Sequence, residues 1–334
     1  MIIMLVIGSM MYAGGSQEAG QKAVKPKIAI VTDLGGLGDQ AYNDAGHAGL
    51  KRAQADFDIE SRIVESSAVA EYETNLQSVA QMGFNLVFGL GAGLSDAAKS
   101  VALRYPNTMF VLIDGDVKDV PNILSVNYKE EQSAFLAGAL AAKMTKTGKI
   151  GFVLGMKIPV LERFEVGYLA GAYYTNPKVD ALTVYTGKFN DPGLGKESAI
   201  TLYGQNVDIV AAAAGACNLG VFDAATEKGP SAWAMGAAAG QSHLAPNDIM
   251  ADQVKRLDNT IYNIVKSYLA EGSVKGGLVV FGLAEGGVGL LYGKNPAGIS
   301  QEIFDYIDNL TKKIIEGSIV VPRTHAELTA FRKQ

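Results

Sequence analysis

Two successive series of short apolar runs, each interleaved with longer stretches of helical period, constrain this chain more than any other feature. In the first series the runs fall at 28–32, 59–64, 86–89, 109–113 and 123–126, and helical stretches at 42–56, 71–82 and 94–105 lie between them. Each run is short and almost continuously apolar, the pattern of strands whose sheet is covered by helices on both faces. Strand and helix in alternation predict a parallel, doubly wound α/β unit.

A long helix is expected at 130–145, where Phe135, Leu136, Ala139, Leu140 and Met144 recur near helical spacing and Gly138 and Ala142 permit close packing. The series then restarts, with runs at 150–154, 182–185, 209–212 and 232–235 and helices at 158–174, 192–203 and 221–228. Two α/β lobes are therefore predicted, 25–147 and 148–334, with a boundary near 146–148. A helix at 255–269, striped by Leu257, Ile261, Ile264, Val265 and Tyr268, precedes a strand-like run at 278–281 and a helix at 303–315. Segments near 250–290 are thus expected to cross back to the first lobe, and several crossings make a hinge.

Residues 1–24 stand apart from both series. The apolar stretch at 1–13 is too short to span a bilayer, and small polar residues follow at 14–22, which reads as an export signal and a flexible tether. No Lys or Arg precedes the apolar stretch and no cysteine follows it. The expectation is an exported chain of the periplasm or cell envelope, membrane-associated only through an upstream start or another anchor.

Charge and cysteine content exclude several function classes. The 29 basic and 34 acidic residues are interspersed, and a net charge of -5 leaves no electrostatic footprint for nucleic acid or anionic lipid. Cys217 is the one cysteine, so neither an intramolecular disulfide nor a multi-thiolate metal centre can form. His47, His243 and His325 lack the spacing of a zinc site. No metal and no cofactor is expected, and Cys217 has no neighbour in sequence to activate it as a nucleophile.

In open α/β sheets, ligands sit at the carboxyl ends of strands. The first run ends in Thr32-Asp33, and a glycine-rich loop leads through Asp39 to Tyr42 and Asn43. Asp33 and Asp39 are candidate hydrogen-bond acceptors, Tyr42 a stacking face, and Asn43 is grouped with them; a helix cap is the competing role for Asp39. Gly35, Gly36 and Gly38 miss the G-x-G-x-x-G spacing, which argues against a dinucleotide. The run at 109–113 ends in Asp114-Gly115-Asp116, where Asp114 is either a second acceptor or part of a strand-end turn. In the second lobe Asp191 before Pro192 reads as a helix cap, and Gly195-Lys196 lacks the rest of a P-loop. The tiny side chains at 211–216, Gly215 among them, make room for a ligand or for close packing. No histidine or metal cluster supplies the general acid and activated water that hydrolysis at Asp33 and Asp114 would need, so the chain reads as a binding protein and not an enzyme.

These stretches together resemble the basic membrane protein family, which includes purine nucleoside receptor lipoproteins of spirochaetes. The resemblance runs from Ile28 to about Val321 and rests on several stretches in fixed order: 38–43 (GDQAYN), 131–138 (EQSAFLAG), Ile158-Pro159 with 167–171, 187–192 (GKFNDP), 254–256 and 286–289. It implies two Rossmann-like lobes of type I periplasmic-binding-protein architecture, with the ligand closed between them. It further implies a monomeric substrate-binding component that hands a small molecule to an ABC permease and ATPase. The family's base-stacking aromatic falls on Tyr42, its first-strand aspartate on Asp33, its later aspartate on Asp114 and its late lysine on Lys255, which by itself also reads as a solvated helix charge.

One departure bears on the ligand. Where nucleoside-binding relatives read Gly-Val-Asp-x-Asp-Gln, this chain has Gly236-Ala237-Ala238-Ala239-Gly240-Gln241, and both carboxylates are gone. A buried sugar hydroxyl left without its acceptor costs about 1–3 kcal/mol, or about tenfold to a hundredfold in affinity. Riboflavin is therefore expected over a purine nucleoside, with a nucleoside receptor as the alternative and a periplasmic sensor or surface adhesin as a further one.

Overall fold

The computed structural model describes residues 25–333; the expected export signal and tether at 1–24 lie outside the described residues. The first sheet gathers β1 (Lys27–Val31), β2 (Glu60–Val64), β3 (Leu86–Leu90), β4 (Met109–Ile113) and β5 (Ile123–Tyr128), connected by α1 (Tyr42–Asp56), α2 (Tyr72–Gln81) and α3 (Ser95–Arg104). β3 and β4 are buried at every position, as their unbroken apolar sequence requires. α4 (Glu130–Met144) leads into a second series: β6 (Lys149–Leu154), α5 (Pro159–Thr175), β7 (Asp180–Tyr185), α6 (Pro192–Gly204), β8 (Ile209–Ala213), α7 (Cys217–Lys228) and β9 (Trp233–Ala238). The chain finishes with β10 (Ile249–Lys255), α8 (Leu257–Glu271), β11 (Gly277–Phe281), β12 (Val288–Tyr292), α9 (Gln301–Ile315) and α10 (His325–Phe331).

Both sheets have six strands, in the orders β11-β5-β4-β3-β1-β2 and β12-β10-β9-β8-β6-β7. All pairings are parallel except that of β10 with β12. The two-lobed α/β architecture expected from the repeated series is the one observed. Each sheet carries a buried apolar layer on either face, so there are four cores in two pairs. α8 and β11 return to the first lobe, where α8 packs on α1 and β11 extends the sheet beside β5. The chain therefore passes between the sheets three times: after β5, after β10 and after β11.

Three features differ from the sequence expectation. Lys255 is not the first residue of a helix but the last of β10, and the helix begins at Leu257. The seven residues of β10 are all buried, yet Asp252, Gln253 and Lys255 break the apolar run by which a buried strand is recognised. β12 and α10 are likewise absent from the expected elements. Core membership also places α4 with the second sheet, because its buried residues share a cluster with Phe152, Tyr168 and Ile209. A boundary at 146–148 would assign it to the first. α4 and α5 pack closely enough that a Cβ at Gly138 would overlap the carbonyl oxygen of Tyr168, and one at Gly171 that of Phe135.

Candidate functional site

Strand order fixes where a ligand can sit. In the first sheet the order reverses between β1 and β3, and in the second between β6 and β8; such switch points open a crevice at the carboxyl ends. Asp33 follows β1 by two residues, and a Cβ on Gly91, just after β3, would touch its carboxylate. At the second switch point the ring of Phe189 lies over Gly155, just after β6, and its backbone lies against Gly215, just after β8. Gly215 has a φ of 60°, and a Cβ there would be 2.8 Å from the Phe189 carbonyl oxygen, so its small size serves close packing of this loop. Phe189 was not singled out as a site residue, although it lies within the family-like stretch at 187–192.

The loop after β1 is held by its own carboxylates. Asp39 is 2% exposed and accepts from the backbone N–H groups of Ala41 (2.9 Å), Asn43 (2.9 Å) and Asp44 (3.1 Å), which satisfies the amino end of α1. That is the capping role weighed for it above. The side-chain amide of Asn43 donates to Asp33 Oδ1 (2.9 Å), which also accepts from the Gly35 N–H (2.9 Å). Burial pushes the Asp33 carboxyl upward, the bonds from Asn43 and Gly35 offset part of that rise, and Asp39 and Asp114 add to it.

Asp114 and Lys255 meet across the lobes. The Lys255 ammonium donates to both oxygens of Asp114 (2.6 and 2.7 Å) and to Glu130 Oε1 (2.8 Å), and Arg163 Nε donates to Glu130 Oε2 (2.8 Å). Lys255, Asp114 and Glu130 are 2%, 8% and 0% exposed, so the centre of this network of two cations and two anions is withdrawn from bulk water, while Arg163 stays partly exposed at its rim. The Tyr42 hydroxyl donates to Asp114 Oδ2 (2.9 Å), and the ammonium lies 5.5 Å from the Tyr42 ring centroid and 4.8 Å from that of Tyr128. Burial raises the Asp114 carboxyl; Lys255 opposes the rise and Glu130 adds to it. Burial also acts to raise Glu130, but Lys255 and Arg163 outweigh it and hold that carboxyl below its usual value. Tyr42 stays protonated, raised by burial and by the carboxylates of Asp114 and Asp33. Asp33 and Tyr42, nine positions apart, are thus brought together with Asp114 and Lys255 from distant parts of the sequence.

A second bond joins the lobes: Gln241 Nε2 donates to the Gln40 carbonyl oxygen (2.9 Å). Its own carbonyl accepts from Asn218 Nδ2 (3.0 Å) and the Ala237 N–H (3.1 Å). Ala238, at the carboxyl end of β9, is half-buried with a φ of 68°, a left-handed conformation that favours glycine, asparagine or aspartate over alanine. Gly240 is exposed. Beside Asp114 lies a cavity of about 650 Å³, whose lining includes Ala92, Gly115, Ile158 and Arg163. Asp33, Tyr42 and Lys255 do not line it. Among the described residues no cluster of His, Cys, Asp and Glu could hold a metal, and no helix is long and apolar enough to cross a membrane.

Comparisons with known proteins identify the family and the fold. Residues 25–325 match the family model described as ABC transporter substrate-binding protein PnrA-like. Basic membrane protein A1 of Borrelia garinii subsp. bavariensis is 32% identical over 100% of this chain and 99% of its own length. Basic membrane protein D of Borreliella burgdorferi is 35% identical over 93% of this chain and 91% of its own. Among solved structures, an ABC transporter system solute-binding protein from Aeropyrum pernix K1 superposes with a TM-score of 0.84 at 30% identity, covering 92% of this chain and 98% of that one.

Proposed function

The chain belongs to the family of PnrA-like ABC transporter substrate-binding proteins, and from that premise we propose that it captures an aromatic, hydroxyl-bearing small molecule, riboflavin in preference to a purine nucleoside. The family's role is substrate binding for an importer and not catalysis. In this reading the Tyr42 ring stacks on the ligand's aromatic system, and Asp33 and Asp114 accept its hydrogen-bond donors. Lys255 holds the Asp114 carboxylate from the opposite lobe, Asn43 orients Asp33, and Asp39 keeps the loop in shape. Gly215 seats the Phe189 loop on the second lobe. The exported protein delivers its ligand as a monomer to a membrane permease and its ATPase.

The observation that carries the ligand preference is Ala238. A methyl group and the exposed Gly240 stand at the positions where the family resemblance implies ribose-clamping carboxylates in nucleoside-binding members. A furanose hydroxyl buried there loses its acceptor, whereas a larger ring system with a flexible polyol gains room. Calorimetric titration of the purified protein with riboflavin, guanosine, inosine and adenosine tests this directly. The expected result is riboflavin binding at least about tenfold tighter than any nucleoside; nanomolar nucleoside binding with none for riboflavin makes the protein a nucleoside receptor instead. Ala238→Asp places a carboxylate on backbone that already has a φ aspartate adopts readily. Guanosine affinity should then rise by about tenfold to a hundredfold, and an unchanged value would mean that position 238 does not face the sugar.

A further inference from the structure

The network behind Asp114 contains two residues to which the reading above gives no part. Glu130 opens α4 and Arg163 lies in the first turns of α5; both belong to the second lobe, and neither touches Tyr42 or Asp33 by any bond in the structure. Yet Glu130 is fully buried with both carboxylate oxygens engaged, one by Lys255 and one by Arg163. Lys255 divides its donors between Glu130 and Asp114. A flexible lysine held in one place by three short bonds becomes a fixed point charge, and here it is fixed from behind.

We propose that Glu130 and Arg163 are positioning residues for ligand capture: Arg163 anchors Glu130, Glu130 holds the Lys255 ammonium, and the shared ammonium sets the orientation and charge of the Asp114 carboxylate that the ligand meets. The inference rests on the assignment of Asp114 to the ligand site. The groups that face Asp114 come from six elements or their ends: Asp33 after β1, Tyr42 on α1, Tyr128 on β5, Glu130 on α4, Arg163 on α5 and Lys255 on β10. One step further out, Glu131 feels the Glu130 charge and pairs with Arg323 (3.6 Å). Of these, Glu130 and Arg163 carry opposite charges and reach Asp114 through the same lysine. Removing one or the other must therefore move Asp114 in opposite directions, whereas a purely structural pair would give the same loss from either side.

The test is a titration of the Asp114 carboxyl carbon by NMR in the full ligand-free chain, with riboflavin and guanosine binding measured across the same pH range. Glu130→Gln removes a neighbouring anion, so the Asp114 midpoint should fall by about half a pH unit or more. Arg163→Gln removes a cation and lets Glu130 draw Lys255 away from Asp114, so the midpoint should rise by a similar amount. The double variant removes both charges and should return the midpoint close to that of the parent, which also separates a charge effect from failure to fold. For whichever probe binds, the acid limb of the affinity profile should shift with the midpoint. Shifts in the same direction, or none in either single variant, overturn the relay. Binding of neither probe to the parent overturns the cleft assignment, and the NMR midpoints then decide the relay separately.

Discussion

Lys255→Met is the perturbation that most severely tests the buried network. The lysine makes three charge-assisted bonds of 2.6, 2.7 and 2.8 Å to two carboxylates that are themselves almost fully buried. Methionine fills most of the volume, so the loss is electrostatic: Asp114 and Glu130 remain, with only Arg163 to balance them. Removing one partner from a buried ion network costs about 3–5 kcal/mol, because the orphaned charges stay desolvated. The pH dependence follows from the same charges. Without the ammonium, both carboxyls should titrate above their unfolded values of 3.8 and 4.5. A carboxyl raised in the folded state binds its proton more tightly there, so the penalty is complete above the raised value and disappears as pH falls toward the unfolded one. Urea unfolding of parent and variant at about pH 7 and about pH 5 should show a gap that narrows on acidification. A gap below about 1 kcal/mol at the higher pH, the size of an exposed ion pair, would refute the reasoning. So would a gap that widens as the pH is lowered.

Glu131, beside Glu130, is pushed up to about 7 by burial, with the neighbouring Glu130 charge adding to the rise. Its ionisation above that value works against folding, so Glu131→Gln should melt higher than the parent in mildly alkaline buffer, with the difference vanishing as pH falls toward 4.5; a lower melting temperature at high pH would reverse the assignment. Gly138→Ala places a methyl against the Tyr168 carbonyl at the α4–α5 contact and should cost about 1–3 kcal/mol in spite of alanine's better helix propensity. Gly204→Ala at the end of α6, where a Cβ meets nothing within 4 Å, is the control and should be neutral or slightly stabilising by the same unfolding assay.

The local code was strongest where one physical demand acted alone. β3 and β4 need only to be apolar on both faces, so their short runs, 86–89 and 109–113, were legible in the sequence. The strand-end positions of Asp33 and Asp114 followed from where those runs stop, and the capping of α6 by Asp191 followed from the proline after it. β10 obeys two demands at once. It is a buried strand, and it also supplies Asp252, Gln253 and Lys255, whose polarity erases the signal a buried strand gives. Its position in the sheet comes from pairing with β9, the strand before it, and with β12, which follows only after α8 and β11 have visited the other lobe.

What the sequence determined by itself is the repeated α/β series, the family to which the chain belongs, and the identities of the aromatic and acidic residues at the carboxyl edge of the first sheet. Only the tertiary structure decided that Lys255 is a buried cation shared by Glu130 and Asp114, that Arg163 closes that network, and that Gln241 ties its lobe to Gln40. The reason is one of range. Periodicity and capping act over a few residues along the chain, whereas Lys255 and Asp114 are 141 positions apart and meet only where the carboxyl ends of β4 and β10, one in each sheet, are brought together. A charge reads as solvated until packing removes the water around it, and that removal is a property of the assembled lobes.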